Sequence, residues 1–407
     1  MSPMILDYIN KWIKEEEIID LMRELIKRPS YPGVENQETA VAEFIHGFFS
    51  REGIESELVH VQDGRKNVTA VIKGRGLGRT LLLTGHTDTV PPYDMPDAFE
   101  LKQEGDRLIG RGSNDMKGPL ACMIMAMVAI KRADIKLNGD IIFAGVIDEE
   151  EKSLGTIDLI EKGIRADGAI VGEPTNLDIC IAHRGLEWFE FDFQGKAVHG
   201  GKQKEGINAI VKASNFIQLM ESKIVPLLNN RKHDITGTST MNYGTISGGT
   251  QPSTVAGDCT IKIDRRWIPG EKYEDIIREY EDALTALREN DPEFKCNMRV
   301  LDVSVMKEGY VHEAMEIDRD HPLVLALEES SEEIGERKPE TTYFTAWSDG
   351  GLLYHYAKIP TLVCGPGDLE TAHSKDEYID RKQLMLAVKT YALTAMKFCD
   401  GQRYHKG

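Results

Sequence analysis

The sequence predicts an α/β fold: one domain with a mixed sheet between helices, interrupted by a smaller inserted domain. The first third alternates helical and strand-like apolar patterns, which argues for a largely parallel or mixed sheet covered by helices. The middle changes to a β-α-β-β-α-β order, a split βαβ sandwich of the ferredoxin-like kind. The last third returns to the first rhythm. At 407 residues the chain is too long for one ordinary core. The expected boundaries are 1–183 and 305–407 for the two parts of the larger domain and 184–304 for the insertion.

Residues Ile5 to Ile26 have helical periodicity and stop before Pro29, and a second helix runs near Glu38 to Ser50. Val68 to Ile72 and Thr80 to Thr84 read as strands, being short, branched and bounded by glycine or charge. Gly105-Asp106 suggests a hairpin, and Met116 to Arg132 a mostly apolar, buried helix. Strand Asp140 to Ile147, helix Ser153 to Gly163 and strand Ala169 to Gly172 follow. In the insertion, Leu186 to Phe193 alternates apolar and polar residues, and Asn208 to Met220 is helical. Thr238 to Ser247 and Thr254 to Trp267 are strands, Lys272 to Arg288 a helix, and Lys295 to Val303 the last strand. Beyond it come helix His321 to Ile334, strand Thr341 to Phe344, helix Gly350 to Tyr356 and strand Pro360 to Cys364. Asp380 with Gln383 resembles a capping box that opens the final helix, Lys382 to Phe398.

Composition removes several function classes. A net charge of −18 repels phosphate backbones and offers no basic face to nucleic acid. The longest apolar stretch, Pro119 to Ile130, is too short to span a bilayer, and the polar N-terminus lacks the apolar core of a signal peptide. The six cysteines are scattered with no C-x-x-C pair, which fits small core residues in a reducing, cytoplasmic compartment.

The chemistry-bearing residues follow strands. LLLTGHTDTVPP runs a buried strand into His86, with Asp88 two residues on. Strand ends of this kind carry ligands in open α/β sheets. An extended backbone points both side chains the same way, so one can ligate while the other fixes its tautomer. Alone, the pair serves equally well as loop hydrogen-bonding groups. GRGSNDMKG puts Asp115 in a tight turn before the apolar helix, where a carboxylate can bridge two metals or simply cap the helix. AGVIDEEEKSLGT delivers four consecutive acids, Asp148 to Glu151, which need a cation or full solvation. Glu173 in VGEPTN and His373 in CGPGDLETAHS each follow another strand. Asp, Glu and His together suit zinc or a similar divalent ion.

In this combination and order the chain resembles the two-zinc amidohydrolases that include acetylornithine deacetylase, succinyl-diaminopimelate desuccinylase, aminoacylase and carboxypeptidase G. The likeness spans nearly the whole chain and includes the inserted domain. It implies that His86 and Glu173 bind one metal, Glu150 and His373 the other, and that Asp115 bridges them. Glu149 would be the general base and Asp88 would orient His86. The Asp115–Met116 peptide would be cis, a rare form away from proline. The implied cofactors are two divalent ions, zinc first, with cobalt or manganese as alternatives.

The resemblance also makes the insertion a lid and dimerisation domain. His199 in GKAVHGG would help stabilise the oxyanion in the partner subunit's site, so a homodimer is expected. Arg266 in IKIDRRWIPGE would clamp a substrate carboxylate, and Asn242 in STMNYGTISGGT would contact substrate. The sequence Gly200-Gly201-Lys202-Gln203 after His199 departs from the small or polar residues and proline usual in the family. The expected substrate is a small N-acyl amino acid, of acetylornithine or succinyl-diaminopimelate type, hydrolysed by a metal-activated water. Glu173 favours this, because the aminopeptidase branch tends to have aspartate there. A dipeptidase or carboxypeptidase on the same fold is the alternative. A non-catalytic binding protein is disfavoured, because every ligand and the base are present.

Overall fold

The computed structural model describes residues 9–335 and 338–400. The chain divides into two compact units, one running up to Ala182 and resuming at Met315, the other spanning His183–Ala314.

The first unit begins with helices α1 (Glu15–Ile26) and α2 (Thr39–Arg51), then strands β1 (Glu55–Gln62), β2 (Arg65–Ile72) and β3 (Leu81–His86). A small hairpin, β4 (Lys102–Glu104) and β5 (Arg107–Ile109), precedes α3 (Lys117–Arg132). Then come β6 (Ile141–Val146), α4 (Leu154–Glu161), β7 (Gly168–Val171) and β8 (Ile179–His183). The second unit contains β9 (Gly185–Gln194), α5 (Ala209–Leu219), α6 (Val225–Asn230), β10 (Lys232–His233) and β11 (Gly237–Thr238). It continues with β12 (Thr240–Gly248), β13 (Asp258–Trp267), α7 (Tyr273–Asn290) and β14 (Lys295–Val300). The first unit resumes with β15 (Met315–Glu316), α8 (Pro322–Ile334), β16 (Thr341–Phe344), α9 (Gly350–His355) and β17 (Thr361–Val363). It ends with β18 (Tyr378–Asp380) and α10 (Arg381–Asp400).

The first unit's sheet has nine strands in the order β1-β2-β6-β3-β7-β17-β8-β15, with β16 paired to β8. Its centre, β6-β3-β7-β17, is parallel, whereas β1–β2, β2–β6 and β17–β8 are antiparallel pairs. The sheet is therefore mixed. Every residue of β3 is buried, as a strand with parallel neighbours on both sides requires. Helix α3 is buried continuously from Lys117 to Ile130, because it is apolar all round and α1 and α10 pack against it. Since β6, β3, β7 and β17 are parallel and adjacent, their carboxyl ends line up along one edge of the sheet.

In the second unit the sheet order is β12-β13-β9-β14, all antiparallel. Strict alternation on β9 turns Phe189, Phe191 and Phe193 inward, where they meet Phe216 of α5, Tyr280 of α7, and Ile261, Ile263 and Trp267 of β13. The order β9-α5-β12-β13-α7-β14 follows the one read from the sequence, with α6 and the β10–β11 hairpin added between α5 and β12.

Several expectations need correction. The helix read as Ile5 to Ile26 is interrupted: Ile9 and Asn10 are helical, a turn follows in which the Trp12 N–H donates to Ile9 O, and α1 starts at Glu15. Three glutamates in its first turn favour a start there, while Ile5 to Tyr8 lie outside the described residues. The second unit extends to Ala314, beyond the expected 304. Leu301 N–H donates to Trp188 O and Leu186 N–H to His312 O, so backbone bonds to β9 hold this segment there. The capping box is half present. Asp380 accepts the Lys382 N–H, but Gln383 reaches away, accepting from Gly367 N–H and donating to Asn176.

Candidate metal centre

His86 is the last residue of β3 and is buried. Its Nδ1 lies 3.0 Å from the Asp88 carbonyl oxygen and 3.5 Å from the Asp88 carboxylate. A carbonyl oxygen only accepts, so Nδ1 carries a proton there, which turns Nε2 towards the other acids. Asp88 has a second task. Its carboxylate accepts the backbone N–H groups of Glu149 and Glu150 at 3.3 and 3.1 Å, which fixes the turn after β6.

Asp115 stands before α3, and its peptide bond to Met116 is cis. Its carboxylate is divided between two histidines, Oδ1 at 3.0 Å from His86 Nε2 and Oδ2 at 3.1 Å from His373 Nε2. Two groups of donors result, His86–Asp115–Glu173 and Asp115–Glu150–His373, each with its donor atoms within 4.8 Å of one another. The five residues named from the sequence as ligands are thus brought together, and Asp115 belongs to both groups. The first group is buried throughout, whereas His373 keeps half of its side chain exposed.

The electrostatics show what the cluster suits. Burial pushes the Glu149 and Glu173 carboxyls well above the usual range, His86 opposing it only in part. Burial and the nearby Asp115 raise Glu150 as well. Burial would raise Asp115 too, but hydrogen bonds from His373 and His86 outweigh it and hold the carboxyl low. The acids in turn push His373 up to about 10, and Glu173, Asp115 and Asp88 overcome burial to raise His86. Such crowding of carboxyls is relieved by a cation. Glu173 Oε1 is buried without a hydrogen-bond partner, and its nearest imidazole nitrogen is 3.7 Å away. An orphaned buried oxygen, a carboxylate split between two imidazoles and an all-oxygen-and-imidazole donor set fit a pair of divalent ions.

Glu149 adjoins these groups, and its carboxyl senses His86, Glu173, Asp349 and Glu150. The rest of the acidic run is used otherwise. Asp148 is paired with Arg65 at 2.7 Å, and Glu151 is exposed. Asp349 does not cap α9 but accepts the Thr156 hydroxyl at 2.6 Å.

In the second unit His199 is exposed and accepts the Gly201 N–H on Nδ1 at 3.1 Å. This closes the short turn that the two glycines form. Asn242 of β12 stands opposite Asp264 of β13, and Arg266 lies two residues further along the same strand. All three point to the face away from the helices, because Met241, Arg265 and Trp267 occupy the other. The Arg266 guanidinium lies against Asp264 at 3.2 Å.

Two residues at the first unit's site escaped the sequence reading. Glu377 is fully buried and accepts the N–H groups of Asn114 and Asp115 at 3.0 and 3.1 Å. Arg111, also buried, pairs with it. The available signal is the charged residue kept in SKDEYID directly before the short strand β18.

Fold and site together define a metallohydrolase, and residues 82–397 match Peptidase family M20/M25/M40. The chain belongs to this family and is an amidohydrolase acting on linear amides. It is 29% identical over 96% of both chains to the N-formyl-4-amino-5-aminomethyl-2-methylpyrimidine deformylase of Bacillus subtilis. It is 30% identical to the acetylornithine deacetylase of Myxococcus xanthus, covering 83% of this chain and 85% of that one. Among solved structures, aminopeptidase PepT from Bacillus cereus superposes with a TM-score of 0.79 at 20% identity, covering 95% of this chain and 99% of PepT. The metallo-carboxypeptidase Sso-CP2 from Sulfolobus solfataricus gives 0.75 at 16%, with 94% and 99% covered. At these identities the last two speak to the fold alone.

Proposed function

We propose that the protein is a two-metal deacylase that hydrolyses the amide of a small N-acyl amino acid, releasing a carboxylate and a free amine. The observation that carries the reading is the Asp115 carboxylate, shared between two three-donor groups with Glu149 alongside. In this reading His86, Glu173 and Asp115 hold one ion, and Asp115, Glu150 and His373 the other, with zinc as the first choice of metal. When bound, such a pair supplies the positive charge that acidifies water and polarises an amide carbonyl.

The protein's own groups do the remaining work. Glu149 accepts the proton of the attacking water and passes it to the leaving nitrogen. Asp88 keeps His86 Nε2 directed at the cluster and holds Glu149 and Glu150 in register. From the family resemblance, His199 is assigned to oxyanion stabilisation across a homodimer, Arg266 to the substrate carboxylate and Asn242 to substrate contact. Six buried free cysteines support a reducing, cytoplasmic setting. Among the described residues, no helix is long and apolar enough to cross a membrane.

A second reading has its own support. The pyrimidine deformylase matches over 96% of both chains, more than the 83% of this chain matched by the Myxococcus deacetylase. The metal-loaded protein, assayed for amine release, separates the readings. The panel is N-acetylornithine, N-succinyl-diaminopimelate, the N-formylated aminomethylpyrimidine and a set of dipeptides. The highest kcat/KM on an acyl amino acid supports the first reading. The highest value on the formylpyrimidine transfers the assignment to the second, and the highest on a dipeptide overturns both.

A further inference from the structure

The Arg111–Glu377 pair lies outside both donor groups yet holds the backbone at Asn114 and Asp115. Glu377 Oε1 accepts two consecutive N–H groups, Asn114 at 3.0 Å and Asp115 at 3.1 Å, and Oε2 takes Nη1 of Arg111. Arg111 Nε donates to Pro91 O at 3.2 Å, in the loop that leaves His86 and Asp88. Glu377 also follows His373 by four residues. One short segment therefore reaches Asp115 twice, His373 meeting its carboxylate at 3.1 Å and Glu377 its backbone. The pair ties together the loops of His86, Asp115 and His373.

A bridging carboxylate must offer one oxygen to each ion, so its backbone can rotate little. Two charge-assisted bonds to adjacent N–H groups impose that limit more firmly than neutral ones. Glu377 and Arg111 are both essentially without solvent exposure, so the contact is not shared with water.

We propose that Glu377, braced by Arg111, is a positioning residue that sets how tightly the site holds its ions by fixing the backbone of Asp115. This rests on the two-metal reading above. Outer groups that orient metal ligands carry ten- to a hundredfold in metal affinity. The test therefore reads ion affinity rather than turnover. Removing one member of a buried ion pair strands the other, so Arg111 is changed together with Glu377.

Two double variants, Arg111→Met with Glu377→Gln and Arg111→Met with Glu377→Leu, are stripped with chelator and titrated with zinc by calorimetry, and their melting curves are recorded. The leucine pair, which has no acceptor for the two N–H groups, is expected to lose about ten- to a hundredfold in ion affinity while staying folded. The glutamine pair keeps one acceptor oxygen and is expected to lose less. A folded leucine pair that holds both ions at wild-type affinity overturns the proposal. If the leucine pair does not fold, the glutamine pair decides, and wild-type affinity there overturns it equally. A wild-type protein that binds no ion in the same titration brings down the two-metal reading itself, an outcome distinct from either.

Discussion

Glu149 and Glu150 are adjacent, yet the fold gives them different surroundings. Glu150 comes within 3.1 Å of His373, while among the described residues Glu149 has no histidine at hydrogen-bonding distance, which fits the base role proposed for it. Glu149→Ala is therefore expected to retain two ions and lose about 10²- to 10⁴-fold in kcat. Metal analysis and turnover on one sample check this, and wild-type turnover would remove Glu149 from its role. His373 belongs to only one donor group and is half exposed. His373→Ala should hold one ion per chain, with a melting temperature near that of the wild type, and mass spectrometry of the metal-loaded protein counts it. The five residues proposed as ligands were legible in the sequence as candidates, because each follows a strand or opens the buried helix. Glu377 was not. A buried glutamate paired with an arginine carries the same letters as a surface ion pair, and only the fold brings Arg111 to it.

Among the elements, the turn from β6 to α4 carries the most. Asn67 of β2 spans it, its amide oxygen accepting the Ile147 N–H at 3.0 Å and its amide nitrogen donating to Gly155 O at 2.9 Å. Gly155 sits so close to Ile147 that an added Cβ would lie 2.4 Å from its nitrogen and 2.7 Å from its oxygen, both backbone. Backbone cannot swing aside as a side chain can. Gly155→Ala should cost about 1–3 kcal/mol and loosen ion binding, because the same turn bears Glu149 and Glu150. Chemical denaturation checks the first effect and zinc titration the second; an unchanged midpoint contradicts the steric account. Strands such as β3 and β6 were readable from their continuous apolar runs. Strand β1 was not, since it lies at the sheet edge and alternates exposed with half-buried residues, so its sequence holds few apolar letters. Residues 305–314 also misled. Nothing in their composition marks them as belonging to the second unit, and backbone bonds to β9 decide it.

At the scale of the molecule, the second unit encloses its own apolar core of phenylalanines, Trp267 and Tyr280. A segment with a core of this kind folds alone. Residues 183–314 expressed by themselves should therefore melt in one cooperative transition, followed by circular dichroism. A featureless melt would show that the core depends on the rest of the chain. The mixed sheet has the complementary job of setting four parallel strand ends side by side, so that residues from His86 to His373 meet at one edge. The most direct measurement of that claim is anomalous diffraction at the zinc absorption edge from crystals grown with zinc. Two peaks per chain are expected, one among His86, Asp115 and Glu173 and one among Asp115, Glu150 and His373. Peaks elsewhere, or none within these five side chains, would contradict the account.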